Sequence, residues 1–100
     1  MRKQTGLEAL TQLTELRMLN LDAAEVGDGM AASCAQLPDL VRLDLFGSHL
    51  TDLGVVELSR LGKLAELELS GCRITDKGCQ YLARIEQLTS LGLAQNFAGE

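Results

Sequence analysis

"LAELELSGCRITDKG" spans Leu64 to Gly78, and its apolar residues keep neither the helix period nor the strand period throughout. Leu67 and Leu69 are two apart, the spacing of a strand with one buried face. Leu64 stands three residues before Leu67 and Ile74 five after Leu69, on either side of a polar corner that holds Cys72. The stretch reads as a short strand that turns inward at Ile74 and leads at Asp76 into a helix.

The same pattern recurs along the chain. LTELRMLNL (Leu13 to Leu21), LPDLVRLDL (Leu37 to Leu45), LGKLAELEL (Leu61 to Leu69) and IEQLTSLGL (Ile85 to Leu93) start 24 residues apart with no insertion between them. Each holds LxxLxL: Leu16, Leu19, Leu21; Leu40, Leu43, Leu45; Leu64, Leu67, Leu69; Leu88, Leu91, Leu93. The inward apolar position that follows is Val26, Leu50, Ile74 and Ala98. Asp28, Asp52 and Asp76 share the column two residues beyond it, where a carboxylate is expected to accept N–H bonds from the first turn of its own helix and to suit the positive end of the dipole. A stripe with a step of three then appears: Val55, Leu58, Leu61, Leu64, and likewise Cys79, Leu82, Ile85, Leu88; Ala31, Cys34, Leu37, Leu40; and Leu7, Leu10, Leu13, Leu16. Each unit is therefore strand, corner, short helix or 3₁₀ segment, and return.

One unit cannot bury both its strand face and its helix stripe, so units must stack, and self-similarity at a fixed period predicts a solenoid. The expected fold is α/β: a right-handed horseshoe segment with a parallel concave sheet and convex helices or 3₁₀ segments. Burying a large apolar side chain contributes about 1.5–3 kcal/mol. Ordering one residue's backbone costs about 1–2 kcal/mol, so interfaces shared between units supply the margin. The whole chain, 1–100, is expected to form one segment, with a partial helical unit over 5–15, repeats starting near 16, 40 and 64, and a partial last repeat over 88–100. Both ends are expected to expose leucine-lined core, covered only by MRKQ and NFAGE. A segment of a longer solenoid is the favoured reading of this, and a minimal protein that self-associates end to end is the other.

An apolar share of 46% against 23% charge suits a folded globular chain rather than a disordered one. The net charge of −5 opposes non-specific binding to nucleic acid or to an anionic membrane surface, both of which need clustered Lys and Arg, and favours a protein partner with a basic surface. MRKQTGLEAL has no apolar core of a secretory signal, and no stretch approaches the roughly 18 apolar residues of a membrane span. The three cysteines, Cys34, Cys72 and Cys79, are odd in number and lack paired CxxC spacing. They are expected to be reduced thiols in a cytoplasmic protein, neither a disulfide framework nor a zinc site.

LSGCRITDKGCQYLA (Leu69 to Ala83) and LFGSHLTDLGVVELS (Leu45 to Ser59), with the LxxLxL strands before them, resemble the leucine-rich repeat family over essentially the whole chain. They look most like the subclass written LxxLxxCxITDxGLxxLA, which includes the cysteine-containing repeats of F-box substrate receptors and the GALA repeats of bacterial effectors. The 24-residue period is closer to the GALA and bacterial types. The family's corner position, normally Asn or Cys, holds Ala24, Ser48, Cys72 and Asn96. Ala24 has no group with which to bond the turn, so the first corner is expected to be looser or water-filled. The family's helix glycine is present at Gly6, Gly54 and Gly78 and replaced by Met30, next to Gly29.

Cys72 at the corner reads as a small, weakly donating packing residue, and Cys34 and Cys79 as members of the helix stripe. His49, the single histidine, reads as a solvated corner residue, and Pro38 falls in a return where its missing N–H is harmless. No catalytic or phosphate-binding motif is present. The expected molecule is not an enzyme, holds no cofactor or metal, and acts as a protein-interaction module. Its concave face is expected to carry three columns: Met18, Arg42, Glu66, Ser90; Asn20, Asp44, Glu68, Gly92; and Asp22, Phe46, Ser70, Ala94. Asp44, Glu66 and Glu68 beside Arg42, with Phe46 as an aromatic anchor and Met18, Asn20 and Asp22 at the margin, form the candidate protein-binding site. Charge reversal at Asp44 and Glu68 is expected to leave stability nearly unchanged. Two other functions stay open: the substrate-recognition segment of an F-box-type ubiquitin ligase receptor, and a structural or assembly solenoid.

Overall fold

A computed structural model describes residues 15–21 and 25–97. Within them strands and helices alternate: β1 (Met18–Asn20), α1 (Asp28–Cys34), β2 (Arg42–Asp44), α2 (Asp52–Leu58), β3 (Glu66–Glu68), α3 (Asp76–Leu82) and β4 (Ser90–Gly92). The strands form one parallel sheet in the order β1-β2-β3-β4. Leu19, Leu43, Leu67 and Leu91 are successive partners across it. This is the stacked α/β arrangement that the 24-residue period predicts. The expected helical unit before residue 15, with Leu7, Leu10 and Leu13, lies outside the described residues, as do Asp22, Ala24 and Ala98.

The units are joined by hydrogen bonds that recur with the period. Arg17 C=O accepts from the N–H groups of Val41 and Arg42, Val41 C=O from Ala65 and Glu66, and Ala65 C=O from Thr89 and Ser90. In the other direction Leu21, Leu45 and Leu69 donate to the carbonyls of Asp44, Glu68 and Gly92. Leu40, Leu43, Leu45, Leu50, Val55, Leu58, Leu64, Leu67, Leu69 and Ile74 are buried together between the sheet and the helices. Burial fades toward both sides of this core: Leu16, Leu19 and Leu21 are half-buried, and Leu91 is 39% exposed where Leu43 and Leu67 are 1% and 2%.

Among the described residues, three successive corners use a left-handed residue, Gly47 (φ +73°), Gly71 (φ +75°) and Gln95 (φ +59°). Gly71 also packs closely on Gly47, since a Cβ there would lie 3.4 Å from the Gly47 Cα. Next to them the polar corner residues bridge the units. Cys72 Sγ lies 3.3 Å from both Leu45 C=O and the Ser48 hydroxyl. Asn96 repeats this one unit later, donating to Leu69 C=O at 2.7 Å and accepting from Ile74 N–H at 2.8 Å. Cys72 is thus a buried corner residue, as its column implies.

The aspartate column departs from expectation. The caps of α2 and α3 are Thr51 and Thr75, whose hydroxyls accept from Leu53 N–H and Lys77 N–H at 3.3 Å. Asp28 and Asp52 instead reach into the following unit. Asp28 accepts from Thr51 N–H (2.8 Å) and hydroxyl (2.6 Å). Asp52 accepts from Thr75 N–H (2.9 Å) and hydroxyl (2.5 Å). The carboxylates therefore tie one helix start to the next rather than capping their own. Gly54 and Gly78 leave room for them: a Cβ on Gly54 would stand 2.5 Å from Asp28 Oδ1, and one on Gly78 closer still to Asp52 Oδ1. At α1 the cap is Gly27, which offers no side-chain bond, and Met30 fills the glycine column.

Candidate functional site

Strand alternation sends every second side chain away from the leucine core, and strict register turns the sequence columns into rows. Met18, Arg42, Glu66 and Ser90 are successive partners, and so are Asn20, Asp44, Glu68 and Gly92. The structure thus brings Arg42, Asp44, Glu66 and Glu68 together on β2 and β3. Met18 is 62% exposed beside them on β1, and Phe46 is 42% exposed just past the end of β2. Asp22 lies outside the described residues.

The carboxylates are not equivalent. Glu66 meets Arg42 in an ion pair of 3.9 Å with both side chains well exposed, a contact of little energetic weight in water. Asp44 Oδ1 accepts from Phe46 N–H at 3.0 Å, and Glu68 Oε1 from Ser70 N–H at 2.8 Å. Each therefore supports the turn that ends its own strand, and the Glu68 carboxylate lies directly over Gly92. That double duty is not visible in a column of charges. It corrects the expectation of a stability-neutral charge reversal, because Lys at either position supplies no acceptor for a turn N–H.

The third column is mixed. Phe46 and Ala94 are exposed, whereas Ser70 is 8% exposed with its hydroxyl accepting from Ala94 N–H at 3.1 Å, so it is part of the turn and not of the open face. The short side chains of Ser90 and Gly92 leave an open hollow of about 120 Å³ beside Arg42, Glu66 and Glu68. A second, of about 310 Å³, lies between Met18, Asn20, Arg42 and Asp44. Two small residues opposite two glutamates were the available sequence signal for the first.

The remaining reactive groups sit away from this face. Burial pushes the Cys34 thiol up to about 11. Cys79, half-buried in α3, is also raised, chiefly by burial and then by the Asp76 and Asp52 carboxylates. His49 is exposed in its corner, its backbone N–H donating to Val26 C=O. Among the described residues no group of His, Cys, Asp and Glu is placed to hold a metal ion, and no helix is long and apolar enough to cross a membrane.

Three-residue parallel strands alternating with seven-residue helices at a fixed period define a solenoid of stacked α/β units. A family model described as "Leucine Rich repeat" matches residues 36–59 and 63–83. The two matched stretches are leucine-rich repeats, and the fold of the described residues is that of a leucine-rich-repeat solenoid segment. No curated protein matches its sequence. Among solved structures it is similar to the actin-binding site 2 (ABS2) of leiomodin-1, at 15% identity over 94% of this chain and 64% of that one, with a TM-score of 0.71. It is also aligned with an internalin (inlF) from Listeria monocytogenes, at 14% identity over 97% of this chain and 46% of that one, with a TM-score of 0.39. The chain thus spans somewhat less than two thirds of the leiomodin-1 structure and under half of the internalin.

Proposed function

We propose that the chain is a non-catalytic protein-interaction module that receives a partner with a basic surface on its concave sheet. The observation that carries this reading is the in-register meeting of Asp44, Glu66 and Glu68 with Arg42 on two neighbouring strands, next to the exposed ring of Phe46. An aromatic anchor bordered by charge supplies both buried area and orientation. Met18, Asn20 and Asp22 extend the contact toward the first unit. Reduced cysteines suit a cytoplasmic setting, and the face as a whole suits neither nucleic acid nor an anionic membrane. In this reading residues 1–100 are one interaction segment.

The test keeps the turns intact while removing the charge. Asp44→Asn with Glu68→Gln retains an acceptor for Phe46 N–H and Ser70 N–H, and Phe46→Ala removes the anchor. Affinity capture followed by mass spectrometry should recover a specific partner with the wild type and lose it with either variant, at an unchanged unfolding midpoint. A partner retained by both variants would move the site to the helices or loops.

A second reading is favoured by Cys72 at the corner and by the Thr-Asp-x-Gly helix starts, which resemble the cysteine-containing subclass. There the segment recognises substrates for an F-box-type ubiquitin ligase, and an F-box in the same reading frame decides it. An assembly role through the ends of the solenoid is the third, and sedimentation at rising concentration tests it.

A further inference from the structure

The two hollows of the concave face share a wall and differ in character. Arg42 and Asp44, which leave β2 on the same side, border both. On the β1 side the other walls are Met18 and Asn20, and Met18 presents an apolar side chain that is 62% exposed. On the other side stand Glu66 and Glu68, partnered by Ser90 and Gly92, which are too short to fill the space. Glu68 is held by Ser70 N–H at 2.8 Å and leans over Gly92. The 3.9 Å contact of Glu66 with Arg42 is exposed and loose, so it yields to a better-placed cation. The larger hollow, about 310 Å³, therefore suits an apolar side chain, and the smaller, about 120 Å³, the end of a cationic one.

The larger hollow lies between β1 and β2 and the smaller over β3. Neighbouring strands are about 4.8 Å apart, so the hollows are separated by about one and a half spacings, or about 7 Å. An extended chain that crosses the strands places residues two apart on the same side at about 6.8 Å. We propose that the two hollows together receive an extended protein segment carrying a large apolar residue and a basic residue two positions apart. The glutamates set the sign of the charge, Met18 supplies apolar contact, and the wall of Arg42 and Asp44 between the hollows fixes the spacing. The inference rests on the reading of the concave face as a protein-binding surface and adds to it the motif that the partner must carry.

The probes are capped heptapeptides titrated into the full chain and followed by amide chemical shifts. GTLTRTG and its reversed order, GTRTLTG, carry leucine and arginine two apart; GTLRTTG puts them on opposite sides, and GTLTETG reverses the charge. At least one of the first two should move the amides of both Leu19 and Leu67, and should bind at least about fivefold more tightly than the adjacent and charge-reversed peptides. Ser90→Leu, which fills the smaller hollow from an exposed position, should remove that preference. Equal binding of spaced and adjacent peptides, a preference that survives Ser90→Leu, or no shift on either strand at about 5 mM peptide would overturn the proposal. Each of those results leaves the concave reading in place if Asp44→Asn with Glu68→Gln still releases the captured partner. A partner retained by that variant and by Phe46→Ala removes both.

Discussion

Asp52 belongs to one helix, yet its carboxylate holds both the backbone N–H and the hydroxyl of Thr75, the residue that caps the next. Gly78 completes the arrangement, since any Cβ there would collide with the same carboxylate. Asp52→Ala should cost about 1–3 kcal/mol by stranding the Thr75 donors, and Gly78→Ala a similar amount by crowding. The double variant should cost less than the sum, because without the carboxylate the added methyl keeps only its close contact with Ile74. Urea unfolding of the four chains measures this coupling.

Gln95 takes up a left-handed backbone that Gly47 and Gly71 take up in the preceding corners. A side chain in that region costs about 1 kcal/mol relative to glycine. Gln95→Gly should therefore stabilise the chain by up to about 1 kcal/mol, seen as a higher denaturant midpoint, whereas Gly71→Ala should destabilise it.

The gradient of burial along the leucine row sets a second scale. Leu67 is 2% exposed and Leu91 39%. Leu67→Ala should cost about 2–5 kcal/mol, and Leu91→Ala no more than about 1–2 kcal/mol. Leu67→Asp should abolish folding, since the core holds no partner for a charge there. Circular dichroism under rising urea ranks the three.

Cys34 links stability to alkaline pH. Its thiol is raised from 9.0 in the unfolded chain to about 11 in the folded one. Its stabilising contribution is therefore complete below pH 9.0 and is lost as pH rises toward about 11, because the unfolded thiol ionises first. Cys79 shifts in the same direction. Unfolding free energy should fall across this range, and the fall should be smaller in Cys34→Ala. In the native protein at pH 8 an alkylating reagent should reach Cys79 before the buried Cys34 and Cys72.

The period, the leucine core and the corner role of Cys72 are legible in the sequence because each depends on a side chain repeated at the same place in every unit. The rows on the concave face are legible for the same reason: strict 24-residue spacing fixes the register. What the sequence conceals are bonds that cross from one unit to the next. An aspartate beside a threonine looks like a local helix cap, and only the fold shows Asp28 bonding Thr51, 23 positions later. Likewise Glu68 reads as a free charge until Ser70 N–H is found bound to it. Gly54 and Gly78 read as a family habit until the carboxylates that need their space are in place.

The backbone bonds between units, such as Ala65 to Val41 and Thr89 to Ala65, run from strand to strand along the direction in which the units are stacked. A force that draws the outer strands apart therefore pulls along these bonds, and because the interfaces lie in series each carries the same load and the weakest gives way first. Under tension the molecule should behave as a soft spring that yields unit by unit, and an interface clamped by an Asp–Thr pair should be the last to part.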